Sequence, residues 1–329
     1  MQWLVMGALL GLALLSAALT WAARGYALRR QLFDQPGERR SHSVATPRGG
    51  GIAIVISLLV TAGVAMWAWP EARPSLLVAS LGLALVAGIG WWDDHRPLPA
   101  MRRLMVHFIA AALLAALVKV HGGSWLLAVL VLLFTASLIN IWNFMDGING
   151  IAASQAIVVA LGLAPLLPWP YSLVAVALGL ACLGFLPFNF PRARIFMGDV
   201  GSGALGYAVA AVLALASVKT DIHWILLLVS ASPFLVDAGF TLLARIISGQ
   251  RWMEPHTQHV YQRAVQAGAS HAQVTGMYFA LGLFSITVLN VCSNLQPRWE
   301  AAVAFAWFIA LSVLWLLLRN GLRHPKGNT

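Results

Sequence analysis

Apolar runs of bilayer-crossing length dominate this chain, and short polar knots separate them. A helix needs about 20 apolar residues to span the hydrocarbon layer. Eleven such runs can be placed, near residues 2–23, 51–69, 75–92, 104–120, 124–142, 151–167, 172–188, 200–218, 223–244, 274–293 and 301–318. Hydrophobic residues make up 60% of the chain and charged residues only 10%, against about 25% charged in an ordinary soluble domain. The expected fold is therefore all-α: a polytopic integral membrane helical bundle of about 10–11 transmembrane helices, with residues 1–329 as one domain. Trp3–Ala23 follows no basic segment and exceeds the apolar core of a signal peptide, so it is expected to stay as the first span.

A net charge of +10 would suggest nucleic acid in a soluble protein. Here topology accounts for it, and no nucleic-acid partner is expected. With the 24–50 loop in the cytoplasm and the sides alternating, only Arg73, Lys119, Lys219 and Arg298 of the 21 Lys and Arg fall on the opposite side. That bias obeys the positive-inside rule and predicts an outer N-terminus and an inner C-terminus. The polar knots then all face the cytoplasm, in segments 24–50, 93–103, 143–150, 189–199 and 245–273. Cys182 and Cys292 both lie in apolar runs without metal-ligand spacing, so neither a disulfide framework nor a zinc site is expected.

The densest knot is Asn140–Gly150, NIWNFMDGING, between two apolar runs. Polar groups are costly there unless they line a cavity or sit at the water boundary. Asn140, Asn143, Asp146 and Asn149 recur every three residues, so a helix would align them roughly along one face. That face would offer oxygen ligands or phosphate-directed amides. A cap of Asp146 and Asn149 alone leaves Asn140 and Asn143 unexplained. A second knot, WWDDHRPL at 91–98, carries the tandem carboxylates Asp93 and Asp94, with Arg96, Arg102 and Arg103 close in sequence. Adjacent carboxylates repel, and a cation or an arginine relieves the repulsion. Either aspartate could bind an ion or act as a base, or the pair could simply be a solvated helix end.

In FMGDVGSGALG, Asp199 opens an apolar run among three glycines. It suits a helix cap, and equally a hard cation with a phosphate at a helix N-terminus. His256 and His259 in PHTQH precede Arg263, a set suited to a diphosphate but lacking a third zinc ligand. The first cytoplasmic loop combines Arg39, Arg40, His42 and Arg48 with Gly49-Gly50-Gly51. It reads as a topology signal, an anionic-lipid patch or a phosphate cradle. Asp237, inside an apolar run, is a functional candidate or a partner for Arg245.

Together these motifs resemble the polyprenyl-phosphate N-acetylhexosamine-1-phosphate transferase family, glycosyl transferase family 4, from Asp34 to Arg263 and in family order. WWDD resembles the family's Asp-Asp motif, and LPAMRRLMVH the segment after it, with Arg103 where many members have lysine. NIWNFMDGING is similar to Asn-x-x-Asn-x-x-Asp-Gly-x-Asp-Gly, FMGDVGSGALG to the Met-Gly-Asp-x-Gly-Ser segment, and SHSVATPRGGG to the first cytoplasmic loop. Two departures stand out. Asn149 replaces the second aspartate of the Asp-Gly motif, and PHTQH is thinner than the usual histidine-rich loop. Both resemble the O-antigen-initiating branch, which handles sugars such as N-acetylfucosamine or N-acetylglucosamine.

The resemblance implies transfer of N-acetylhexosamine-1-phosphate from a UDP-sugar to undecaprenyl phosphate, with release of UMP, in the bacterial inner membrane. It implies Mg²⁺, or Mn²⁺ in its place, held chiefly by Asp199 with Asp146 assisting or orienting the lipid phosphate. Asp93 or Asp94 would take a residual proton, although a direct or a two-step route remains open. Asn140, Asn143, Asn149, His42, Arg48, Arg103, His256, His259 and Arg263 would contact substrate, membrane lipid would surround the bundle, and homodimerisation is left open. A transporter or lipid flippase is the competing class. It would place paired charges at mid-membrane in two related halves, whereas these carboxylates gather at one face and no halves repeat. A CDP-alcohol phosphotransferase would need Asp-Gly-x-x-Ala-Arg, but Asp146-Gly147 is followed by Ile-Asn-Gly-Ile.

Overall fold

The computed structural model describes residues 2–35, 44–250 and 256–322, with side chains from residue 11 onward. Each apolar run becomes one helical passage. They are α1 (Gln2–Arg29), α2 (Ile52–Ala68), α3 (Arg73–His95), α4 (Ala100–Val120), α5 (Trp125–Met145), α6 (Ile151–Leu163), α7 (Tyr171–Asn189) and α8 (Asp199–Lys219). A broken passage follows, made of α9 (Trp224–Leu228), a 3-10 turn and α10 (Ser232–Ile247). The short α11 (Val260–Gln266), then α12 (His271–Cys292) and α13 (Pro297–Gly321), complete the chain. Among the described residues eight passages are long and apolar enough to cross a membrane, while Ile52–Ala68 and Ile151–Leu163 are shorter. The multi-pass helical bundle expected from the apolar runs is the fold observed. The one sheet among the described residues is a two-residue ladder in the first loop, β1 (Phe33–Asp34) against β2 (Thr46–Pro47), antiparallel with Phe33 opposite Pro47.

The centre of the bundle is α8. Its side chains from Val200 to Ala216 are buried on every face, whereas α13 is mostly exposed at the bundle's edge. A helix apolar all round belongs in a core, and its Gly, Ala and Ser residues let α3 and α5 pack closely against it. The closest backbone approach is at its start. An ideal Cβ on Gly51 would lie 2.2 Å from Gly201 Cα, so the mouth of α2 rests directly on the first turn of α8. Gly51→Ala is therefore expected to destabilise the protein by about 1–3 kcal/mol through overpacking, read as a lowered thermal midpoint in detergent.

Buried carboxylates fix three helix starts, each from another passage. The first amides of a helix have no intrahelical acceptor and favour a negative charge. Asp94, on α3, accepts the N–H groups of Asp199 (3.1 Å) and Val200 (3.0 Å) at the head of α8. Asp237, on α10, accepts those of Val260 (2.9 Å) and Tyr261 (3.4 Å) at the head of α11. Glu300, on α13, accepts that of His223 (2.6 Å) before α9. These three acidic side chains are almost completely buried, and the helix ends they hold make that burial tolerable.

Candidate active site

The site forms at one end of the bundle, where α3 and α5 end and α4 and α8 begin. Asp93 and Asp94 are neighbours on a helix and so point about 100° apart. Asp94 turns inward to cap α8. Asp93 turns toward the following loop, where its Oδ1 accepts from the Leu98 amide at 2.6 Å. From the first turn of α4, Arg103 Nη1 reaches both Asp93 Oδ2 (2.8 Å) and Asp199 Oδ2 (2.9 Å). Asn143, on the last turn of α5, donates to Asp199 Oδ1 (2.9 Å) and lies 2.9 Å from Ser202 Oγ. Arg48 lies beside Asp94, with Nε 3.8 Å from Oδ1 and Nη2 donating to the backbone carbonyl.

Asp146 follows directly, just beyond the end of α5. No side chain or amide of the described residues donates to its half-buried carboxylate. Burial, then the charges of Asp199 and Asp94, push its carboxyl well above the usual carboxylate range. The neighbourhood thus crowds the carboxyl groups of Asp93, Asp94, Asp146 and Asp199 against only Arg48 and Arg103, and a bound cation would favour their ionised forms. Asp146 and Asp199 are the residues that could hold one. Among the described residues no group of three or more His, Cys, Asp or Glu forms a metal cage. The donor set instead fits a hard, oxygen-seeking ion such as Mg²⁺, which uses one or two carboxylates and takes its remaining ligands from water and phosphate.

The remaining residues singled out in the sequence fall in different places. Asn140 is one helical turn from Asn143, where its amide donates to Ala136 O (2.7 Å) and lies 3.5 Å from His107 Nδ1. Asn149 ties the turn after α5 to its neighbours: its amide donates to Pro191 O (2.9 Å), and its carbonyl accepts from Thr275 (2.8 Å). Arg263 donates to Gln258 O (3.1 Å) and Arg319 O (3.4 Å), contacts within its own loop and to α13. His42 lies outside the described residues.

His256 and His259 pack ring against ring, tilted by 39°, with centroids 4.9 Å apart. Burial, with His259 and Arg245 nearby, drives the His256 pKa down to about 4, and burial lowers that of His259 as well. Both imidazoles are therefore neutral near pH 7 and act as hydrogen-bonding rings rather than cations. The glycine-run cradle is corrected. Gly50 and Gly51 donate their amides to Phe196 O and Met197 O, at 2.9 Å each, and are already occupied. The run stitches the first loop to the α8 approach, and Phe196 N in turn donates to Pro47 O at 2.8 Å.

Two contributors lay within the polar knots but were given no role from the sequence. Asn189, buried at the end of α7, accepts from Gly150 N (2.7 Å) and donates to Ile195 O (3.0 Å), joining the Asp-Gly turn to the approach of α8. A lone asparagine closing an apolar run was the available signal. Tyr261 donates its phenol to Phe144 O at 2.9 Å, and an ideal Cβ on Gly147 would lie 2.1 Å from the Tyr261 phenol oxygen. Gly147 thus serves as the seat for a tyrosine from the histidine loop.

Fold and site together define a polytopic helical membrane protein with an acidic, arginine-bridged centre at one end of its bundle. Residues 76–218 match the glycosyl transferase family 4 model. The chain is 30% identical to the decaprenyl-phosphate N-acetylglucosaminephosphotransferase of Mycobacterium tuberculosis, over 95% of this chain and 90% of that protein. It is 28% identical to the probable undecaprenyl-phosphate N-acetylglucosaminyl 1-phosphate transferase of Bacillus subtilis, over 82% and 80%. A phospho-N-acetylmuramoyl-pentapeptide-transferase of Synechococcus is 30% identical over 82% and 87%. The chain belongs to glycosyl transferase family 4, the polyprenyl-phosphate N-acetylhexosamine-1-phosphate transferases that its motifs resembled.

Proposed function

We propose that this protein transfers N-acetylhexosamine-1-phosphate, such as GlcNAc-1-phosphate or FucNAc-1-phosphate, from a UDP-sugar to undecaprenyl phosphate. A phosphate oxygen of the lipid attacks the sugar-linked phosphorus of the donor. The new P–O bond forms as the diphosphate bridge to the uridine-bearing phosphate breaks, and UMP leaves with the bridging electrons. The product is a lipid-diphosphate sugar that initiates O-antigen or another envelope polysaccharide. The observation that carries this reading is the carboxyl group of Asp146, to which none of the described residues donates, close to Asp199, which is itself bridged by Arg103 to Asp93.

Phosphoryl transfer of this kind is mainly positioning and charge neutralisation. Asp199 and Asp146 would hold Mg²⁺, which supplies charge neutralisation at the diphosphate. Arg103 and Asn143 set the orientation of Asp199, and Asp93 is the member of the tandem pair turned toward the substrate side. A phosphate monoester is already largely dianionic at pH 7, its second pKa being about 6, so the attacking oxygen needs no obligatory base. The neutral His256, backed by the buried His259, forms a wall for the nucleotide. The basic residues at this end, among them Arg24, Arg96, Arg102 and Arg192, support a cytoplasmic-facing site in the bacterial inner membrane. The N-terminus would then lie outside and the C-terminus inside, and the whole chain forms a single catalytic domain.

The test supplies purified protein with undecaprenyl phosphate, Mg²⁺ and a panel of UDP-N-acetylhexosamines. At least one donor should give UMP and a lipid-diphosphate sugar in equal amounts, and omission of Mg²⁺ should suppress both. A panel without any product would remove the transferase reading and favour transport.

A further inference from the structure

Asp237 lies within the membrane passage of α10, away from the carboxylates of the site, and the proposed reaction gives it no chemical step. Its carboxylate nevertheless gathers donors from four helices. Oδ1 accepts from Val260 N (2.9 Å), Trp315 Nε1 (3.1 Å) and Thr241 Oγ1 (3.3 Å). Oδ2 accepts from the Tyr278 phenol (2.7 Å) and from Tyr261 N (3.4 Å). Two of these donors are the first amides of α11, the helix that directly follows the histidine pair. His259 is packed in the same place, its Nδ1 3.9 Å from Asp237 Oδ1 and its ring stacked on Tyr261 at 5.8 Å. From α11 the Tyr261 phenol crosses to Phe144 O at the end of α5, with Gly147 pressed against it and Asp146 between those two positions in sequence.

We propose that Asp237 is a positioning residue that sets the distance between the histidine wall and the Asp146 carboxylate, acting through Tyr261. This rests on the transferase reading above. Asp237 clamps the start of α11, and α11 holds out Tyr261. The phenol of Tyr261 then spaces the loop from the Asp-Gly turn, where Gly147 leaves just enough room for the oxygen. A carboxylate suits the task because it has only acceptors and can satisfy amide, indole, hydroxyl and phenol donors at once. Asparagine would turn an amide group toward some of these donors and leave them unsatisfied in a buried place.

Two variants and one exchange measurement test this. Tyr261→Phe keeps the ring and removes only the oxygen that reaches α5. It should lower kcat/KM for the nucleotide-sugar by about 10²-fold, the scale of a 1 Å misplacement, while KM for the lipid phosphate and the thermal midpoint stay near wild type. Gly147→Ala should cause a similar loss in the wild-type background and a clearly smaller one in the Tyr261→Phe background, because the oxygen 2.1 Å from its Cβ is gone and only ring carbons at 3.0 and 3.1 Å remain. Hydrogen exchange on full-length Asp237→Asn in detergent, without substrates, should show amides of 260–266 opening about tenfold faster or more, consistent with buried donors left unsatisfied. Wild-type exchange there would overturn the anchor. Full donor kcat/KM in Tyr261→Phe, or equal losses against both substrates with a fallen midpoint, would overturn the spacing role. If the wild-type protein turned over no donor, the reaction reading would fall and the exchange result alone would decide the anchor.

Discussion

Replacing Asp199 with asparagine is expected to cut sugar-phosphate transfer by about 10³-fold or more, the scale on which removal of a key charge-stabilising group acts, and to leave the protein folded. Asp199 is the point where the site's polar contacts meet: Arg103 on Oδ2, Asn143 on Oδ1, and the Asp146 carboxyl close enough to feel its charge. Asparagine has nearly the same shape but no charge. Its NH₂ group would also face either the Arg103 guanidinium or the Asn143 amide, a donor set against a donor. The structural cost is small. The amide of residue 199 remains bound by Asp94, and losing a negative side chain at a helix start costs about 0.3–1 kcal/mol. The check is turnover beside a thermal melt of the same sample. A second readout avoids activity altogether: Mg²⁺ with UMP should raise the wild-type melting midpoint and fail to raise that of Asp199→Asn. Near-normal turnover, or an unchanged metal-dependent shift, would sink the assignment of Asp199 as the main ion-holding carboxylate.

The sequence made the bundle legible because bilayer crossing imposes a length and a polarity that no other architecture of this size requires. Even the central position of α8 was foreshadowed by its run of Gly, Ala and Ser, although the sequence reading did not draw that conclusion. The polar knots of the candidate site were legible as types of residue near a boundary. Their pairing was hidden in contacts between distant parts of the chain. Asp94 caps amides 105 and 106 residues further on, and no local pattern reveals such a partner. The same limit explains the glycine run at 49–51. Glycine permits both an anion cradle and a close backbone approach, and the choice was made by the carbonyls of Phe196 and Met197. The helix α11 escaped the sequence reading because 7 residues are too few to show a period. Asn140, Asn143, Asp146 and Asn149 do recur at helical spacing. The helix nevertheless ends at Met145, so the alignment holds for the first pair, while Asn149 is turned away to Pro191 and α12.

That separation of neighbours is sharpest in the tandem aspartates, and Asp94→Ala is expected to have the second large effect. It strips the acceptor from two adjacent amides at the head of α8, in a place where Asp94 is almost completely buried. An unsatisfied buried donor costs about 1–3 kcal/mol, so the loss of both should lower the thermal midpoint clearly. The same change frees the first turn of α8, which carries Asp199, and a shift of about 1 Å there suffices for a 10²-fold loss in turnover. Asp93→Ala should behave differently. It removes the Leu98 contact and one arm of the Arg103 bridge, leaves the α8 amides capped, and so lowers activity with little change in melting. Asp94→Asn separates positioning from proton transfer, because asparagine keeps one acceptor for the helix but cannot carry a proton as a base. If Asp94 positions α8, its melting midpoint and its turnover should both lie between those of wild type and Asp94→Ala. A variant that melts like wild type yet transfers nothing would instead make Asp94 the base, and the role of helix clamp would then have to be given up.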